Sequence, residues 1–235
     1  IKSFENDFNN KGIFFSHNTI KSYSYLKSLN THTNFIDKNK NIKLNILEIG
    51  AGLFNFGHLL TIKIEKFNYV VCDLPELIRT VTRQIADEYN KTSMYEIFLP
   101  NEIDDFLESK SDRKILFITP KQIDDAKKLQ IKFDLFINHE SFAEMEINTV
   151  NSYLRNVATL MKSNSLLYII NRHSRPQAIT ANDFIKLETF DQLTSFDDYE
   201  LDFAETIIKE IEPFRTRLPG QCHLPNVLYI GKVII

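Results

Sequence analysis

Three of the chain's six glycines, Gly50, Gly52 and Gly57, crowd directly behind one short apolar run, Leu44 to Ile49. Glycine accepts positive φ and lets a ligand approach the backbone, so a strand, a glycine turn and a helix N-terminus together form a corner suited to a nucleotide. Two carboxylates border that corner. Glu48 stands just before the glycines, and Asp73 closes the next apolar run, Tyr69 to Cys72. An acid about 20 residues beyond the glycines is placed to accept hydrogen bonds from both ribose hydroxyls. With no ligand, the same pattern is simply a tight strand-to-helix turn.

The acids narrow the choice of nucleotide. A dinucleotide site prefers a third glycine where the helix packs, and Asn55 stands there. Glu48 would sit badly beside a pyrophosphate, and Asp73 would repel a 2′-phosphate. S-adenosylmethionine carries no phosphate and bears a cationic sulfonium and amino group, so the acidic corner favours it over NAD.

A second polar group, Asn138, His139, Glu140 and Glu144, follows the apolar run Phe133 to Ile137. This is the carboxyl edge of a predicted strand, where open α/β sheets bind ligands. An imidazole can accept the proton leaving a hydroxyl at neutral pH, so His139 is the expected base. Glu140 or Glu144 is expected to orient it or to bind substrate hydroxyls. Helix capping is the non-catalytic alternative. Asn171, Arg172, His173, Ser174 and Arg175 follow the run Leu166 to Ile170, and Arg215, Arg217 and His223 lie in a turn-rich stretch. Arginine forks suit phosphates or carboxylates, and His223 is an alternative base. Asn138, Glu140 and Glu144 are oxygen donors that Mg²⁺ would accept, but their spacing is not diagnostic and no metal ligand is assigned.

The positioning elements alternate. Leu53 to Lys66, Pro75 to Tyr89, Glu102 to Glu108 and Ile147 to Met161 have helical spacing. The short apolar runs between them are strands, and Tyr95 to Leu99 shows no clear period. Ala204 to Phe214 and Val227 to Ile235 are expected to form a terminal antiparallel pair. The prediction is an α/β, Rossmann-like, seven-stranded and mostly parallel sheet with a C-terminal antiparallel strand and helices on both faces. Residues 1–43 are expected to form a helical N-terminal extension and residues 44–235 the catalytic domain.

At 235 residues, the length fits one large domain. With 43% hydrophobic and 25% charged residues, the chain is expected to fold as a globular protein. A net charge of -3 supplies no field for nucleic acid or an anionic membrane. No run approaches the roughly 20 apolar residues of a membrane span. Cys72 and Cys222 are too few for a disulfide framework and are expected to be reduced thiols in a cytoplasmic protein. The first residue is Ile1, so a longer native N-terminus is an open expectation.

Glu48-Ile49-Gly50-Ala51-Gly52 and Cys72-Asp73-Leu74-Pro75-Glu76 resemble the first motif and the acidic loop of class I S-adenosylmethionine-dependent methyltransferases. Asp73-Leu74-Pro75-Glu76, the stretch Asn138 to Met145 and the stretch Arg217 to His223 resemble the bacterial sugar O-methyltransferases within that superfamily. The resemblance implies cofactor contacts from Glu48, Gly50, Gly52, Asp73, Leu74, Thr119 and Asn138. It implies His139 and Glu140 as catalytic residues, with Glu144, Arg172, His173, Arg217 and His223 on the side of a saccharide substrate. It further implies S-adenosylmethionine-dependent methylation of a sugar hydroxyl in a surface polysaccharide or nucleotide-sugar precursor. Two other readings stand beside it. One is an NAD-dependent sugar-modifying oxidoreductase. The other is a catalytically idle Rossmann-like interaction domain, forming a homodimer through aromatic residues of the N-terminal extension.

Overall fold

A computed structural model describes residues 17–89, 95–123, 129–172, 190–199 and 226–233. The continuous apolar runs form strands buried on both faces, the usual pattern of parallel sheets. These are β1 (Leu44–Ile49), β2 (Phe67–Cys72), β4 (Arg113–Ile118) and β5 (Phe133–His139). The remaining strands are β3 (Glu96–Phe98), β6 (Met161–Arg172), β7 (Phe190–Tyr199) and β8 (Asn226–Val233). The helices are α1 (His17–Thr33), α2 (Phe35–Asn39), α3 (Asn55–Lys63), α4 (Pro75–Tyr89), α5 (Ile103–Glu108) and α6 (Ile147–Leu160). Pro75 opens α4, where its missing N–H costs nothing.

The strand order is β3-β4-β2-β1-β5-β6-β8-β7. The six strands from β3 to β6 are parallel to their neighbours, whereas β8 runs antiparallel to β6 and to β7. The sheet among the described residues therefore has eight strands, of which β8 alone is reversed, where seven with one antiparallel strand were expected. The additional parallel strand is β3, a three-residue edge strand in the stretch whose pattern shows no clear period. It is too short to show an alternation. The antiparallel partner of β8 is β7, and Ala204 to Phe214, expected in that role, lies outside the described residues.

Alternating residues feed two core layers. Ile46, Tyr69 and Val71 face one layer with Leu59 and Leu60 of α3 and Ile78, Val81 and Ile85 of α4. Leu47, Ile49, Val70 and Cys72 face the other with Phe106 of α5 and Val150, Leu154 and Val157 of α6. Helix α1 places Tyr25, Leu26 and Leu29 in the first layer. The Tyr168 hydroxyl on β6 donates to the Tyr25 carbonyl at 2.7 Å, fixing α1 over the carboxyl end of the sheet. The aromatic residues at 4, 8, 14 and 15 lie outside the described residues.

Leu29 has no solvent exposure. Leu29→Ala should therefore cost about 2–5 kcal/mol, as buried leucine truncations do. Urea unfolding should show this as a lowered midpoint, and an unchanged midpoint would mean that α1 is not anchored there.

Candidate functional site

β1 ends in a turn that only a glycine adopts easily. Gly50 has φ of +73° and Gly52 of +57°, a region that side chains disfavour. Gly50 N–H donates to the Cys72 carbonyl at 2.9 Å, which carries the pairing with β2 past the end of β1. Asp73 then reaches back: its Oδ2 accepts from Gly52 N–H and its Oδ1 from Leu74 N–H, both at 2.7 Å. The expected neighbours Gly52 and Asp73 are thus in direct contact. Phe54, itself at φ 58°, closes the turn by donating its N–H to the Ala51 carbonyl at 2.9 Å.

The three glycines have different physical causes. A Cβ on Gly50 would overlap the Ser141 side chain, and one on Gly57 would overlap the Phe54 ring, so both serve close packing. A Cβ on Gly52 would meet nothing within 4 Å. The turn is open at Gly52, and two leucines beside it stay exposed, Leu53 at 44% and Leu74 at 54%. The sequence reading included Leu74 and overlooked Leu53.

The acids differ in their surroundings. Glu48 is buried on the Tyr69 side of β1, where its Oε2 accepts from the Tyr69 hydroxyl at 2.8 Å. Burial, opposed by that hydrogen bond and reinforced by Asp73, pushes its carboxyl up to about 8. Burial also raises Asp73, while the Leu74 and Gly52 N–H groups act to lower it. From α6 comes Tyr153, pushed up to about 12 by burial and then by Cys72 and Asp73. Cys72 is a buried free thiol, itself pushed up to about 12 by burial.

At the end of β5, Asn138 is fully buried. Its Nδ2 donates to the Ile49 carbonyl at 2.8 Å and to Ser141 Oγ at 2.6 Å. Its Oδ1 accepts from Phe142 N–H at 3.4 Å and Asn171 Nδ2 at 3.3 Å. Asn138 therefore ties the ends of β1, β5 and β6 to the short 3-10 turn Ser141–Glu144. Ser141, which sequence reasoning did not single out, fills the space above Gly50. No local pattern signals it, because the contact with Gly50 joins distant parts of the chain. Thr119, at the end of β4, is held by Gln122: its N–H and Oγ1 both donate to Gln122 Oε1, at 3.0 and 2.9 Å.

His139 departs from expectation. A polar cleft was predicted, but the ring lies among Phe56, Tyr25 and Tyr168 at centroid distances of 4.3, 5.0 and 5.6 Å. Its Nε2 is buried without a hydrogen-bond partner. Burial first and Lys21 second push the imidazole down to about 3, so it is neutral and weakly basic at neutral pH. The cause is geometric: helix α1 covers this face, a long-range contact that periodicity does not encode. Glu140 does not orient the imidazole either. At φ 62° its side chain turns to α1, pairing with Lys21 and accepting from the Tyr25 hydroxyl at 3.1 Å.

Glu144 is exposed on the same 3-10 turn. Arg172 is the last residue of β6, and its side chain lies outside the described part, as do residues His173, Arg215, Arg217, Cys222 and His223. Among the described residues no group of three or more His, Cys, Asp or Glu is placed to hold a metal ion. No described helix is long and apolar enough to cross a membrane.

Protonating His139 opposes its burial. Its contribution leaves stability intact above its ordinary value of 6.5 and erodes it as pH falls toward about 3. The urea midpoint should therefore fall between about pH 6.5 and 5, before most carboxylates titrate, and His139→Phe should flatten that slope. An identical slope in both proteins would show that the ring is solvated.

No protein-family model matches the chain, and no curated protein matches it. Its fold does match solved structures. Magnesium protoporphyrin IX methyltransferase from Synechocystis PCC 6803, solved with bound S-adenosylmethionine, superposes with a TM-score of 0.53 at 11% identity, covering 98% of this chain and 91% of that one. The N-methyltransferase NodS from Bradyrhizobium japonicum WM9, in complex with S-adenosylhomocysteine, gives 0.52 at 12% identity, with coverages of 89% and 87%. An rRNA methylase from Streptococcus thermophilus gives 0.52 at 9%, with 87% and 95%. The chain thus has the α/β, Rossmann-like fold of class I S-adenosylmethionine-dependent methyltransferases.

Proposed function

We propose that this protein is an S-adenosylmethionine-dependent O-methyltransferase acting on a sugar hydroxyl. The observation that carries the cofactor reading is the Asp73 carboxylate bonded to Gly52 N–H at a turn where Gly52 faces open space. That arrangement fits the cofactor. Each carboxylate oxygen retains a lone pair for a ribose hydroxyl, and the exposed Leu53 and Leu74 offer apolar cover for an adenine. The acidic Glu48 and Asp73 suit a cationic ligand rather than a pyrophosphate. The fold neighbours with bound S-adenosylmethionine or S-adenosylhomocysteine support the same reading.

The cofactor supplies an electrophilic methyl on sulfur. The chain's own residues position the acceptor for in-line attack, which is where most of such a rate gain arises. Tyr25, Phe56 and Tyr168 form an aromatic wall around His139 at the β5 end. Those rings are themselves buried and present no face to a ligand, so the saccharide acceptor is argued from the sequence resemblance. Glu144, Arg172, His173, Arg217 and His223 are assigned to the acceptor side. His139, neutral and weakly basic, is reassigned from base to wall, and His223 takes the role of proton acceptor.

Calorimetry tests the cofactor reading. Asp73→Ala should weaken S-adenosylhomocysteine binding by about 1.5–3 kcal/mol, the range for hydrogen bonds to a charged group, and unchanged affinity would remove Asp73 from the site. Transfer of labelled methyl to a panel of nucleotide-sugars and oligosaccharides tests the acceptor. With an accepted sugar, His223→Ala should lower turnover by about 10²- to 10⁴-fold, as lost general-base catalysis does. Full activity in that variant would reject His223 as the base.

A further inference from the structure

Among the described residues, no cation lies beside the buried carboxyl of Glu48. None of the ion pairs among the described residues, Lys21–Glu140, Lys43–Asp112, Lys66–Asp112 and Lys162–Asp134, reaches it. Its hydrogen-bond partner is the phenol of Tyr69 on β2, whose ring is itself packed edge-on against Phe54 and Phe67. The other titratable group acting on it is Asp73, another acid, from the turn after β2. An ionised carboxylate buried without a counter-charge is strongly disfavoured and takes up a proton instead. Yet Glu48 lies on the penultimate position of β1, two residues before the open glycine turn. A core position served only by packing would hold an apolar residue, as Ile46 does on the same face.

Resting on the methyltransferase reading, we propose that Glu48 is the charge-selecting residue of the cofactor corner, a neutral acid that releases its proton to solvent when a sulfonium ligand binds and keeps it when the ligand is a neutral thioether. The step balances. The ligand's fixed positive charge replaces the proton's, and the proton leaves to buffer. After methyl transfer the sulfonium has become a thioether, so Glu48 takes a proton back and the product loses that electrostatic hold. Binding of the methyl donor is thereby coupled to its charge and not only to its shape. The carboxyl, pushed up to about 8, holds its proton at neutral pH and can lose it to a modest change in local charge.

The test is titration calorimetry of the full chain with S-adenosylmethionine and with S-adenosylhomocysteine, each in phosphate and in Tris near pH 7. The dependence of heat on buffer ionisation counts protons released. The donor should release more protons than the product, and Glu48→Gln should abolish that difference while both ligands still bind. Below the titration midpoint, the donor's affinity relative to the product's should rise by up to about tenfold per pH unit. Tyr69→Phe removes the hydroxyl that favours the ionised form, so it should move that transition to higher pH, and it serves if Glu48→Gln does not fold. Equal proton counts for the two ligands in the unmodified protein would overturn the proposal while leaving the methyltransferase reading intact. Binding of neither ligand would overturn that reading and the proposal with it.

Discussion

The site depends on one charged hydrogen bond, from Gly52 N–H to Asp73 Oδ2 at 2.7 Å. A parallel strand that ends in a left-handed turn leaves backbone donors with no strand to pair with, and buried donors of this kind need a partner. Asp73 supplies it from the neighbouring strand and spends its second oxygen on Leu74 N–H. The bond joins the turns after β1 and β2, so neither moves without the other. Its charge-assisted character makes it stronger than the neutral bonds around it. Because the turn is held from the Asp73 side, Gly52 need not pack against anything, and the space over it stays open.

A neutral polar network works in the same way one strand further along. Asn138 ties Ile49 of β1, the Ser141 turn and Asn171 of β6 through a single buried amide. A fully bonded buried network rigidifies what it joins, whereas a half-satisfied one would weaken it. Together the two clamps fix the carboxyl ends of β1, β2, β5 and β6, the edge where open α/β sheets place ligands. Helix α1 then closes the β5 side with Tyr25 and Lys21, enclosing the His139 ring in aromatic packing and burying its Nε2.

Local chemistry was legible in the sequence because it is written in adjacent residues. The glycines after an apolar run, the acid after the next run and the proline opening α4 each act on their own turn, and Gly50, Gly52, Asp73 and Pro75 are placed as expected. The alternation of short apolar runs with helices likewise anticipates five of the six parallel strands, β1, β2, β4, β5 and β6. What escaped the sequence depends on residues distant in the chain. His139 reads as polar from Asn138 and Glu140, but Tyr25, over a hundred residues earlier, settles its surroundings. Glu140 reads as its partner and instead meets Lys21. Three-residue β3 carries too little pattern to be read at all.

The most direct test of the cofactor corner is a crystal structure of the full chain grown with S-adenosylhomocysteine. The ribose hydroxyls should lie within hydrogen-bond distance of Asp73, and the methionine portion should cross the Gly50–Gly52 turn. A ligand bound elsewhere on the protein, with that turn empty, would contradict the account.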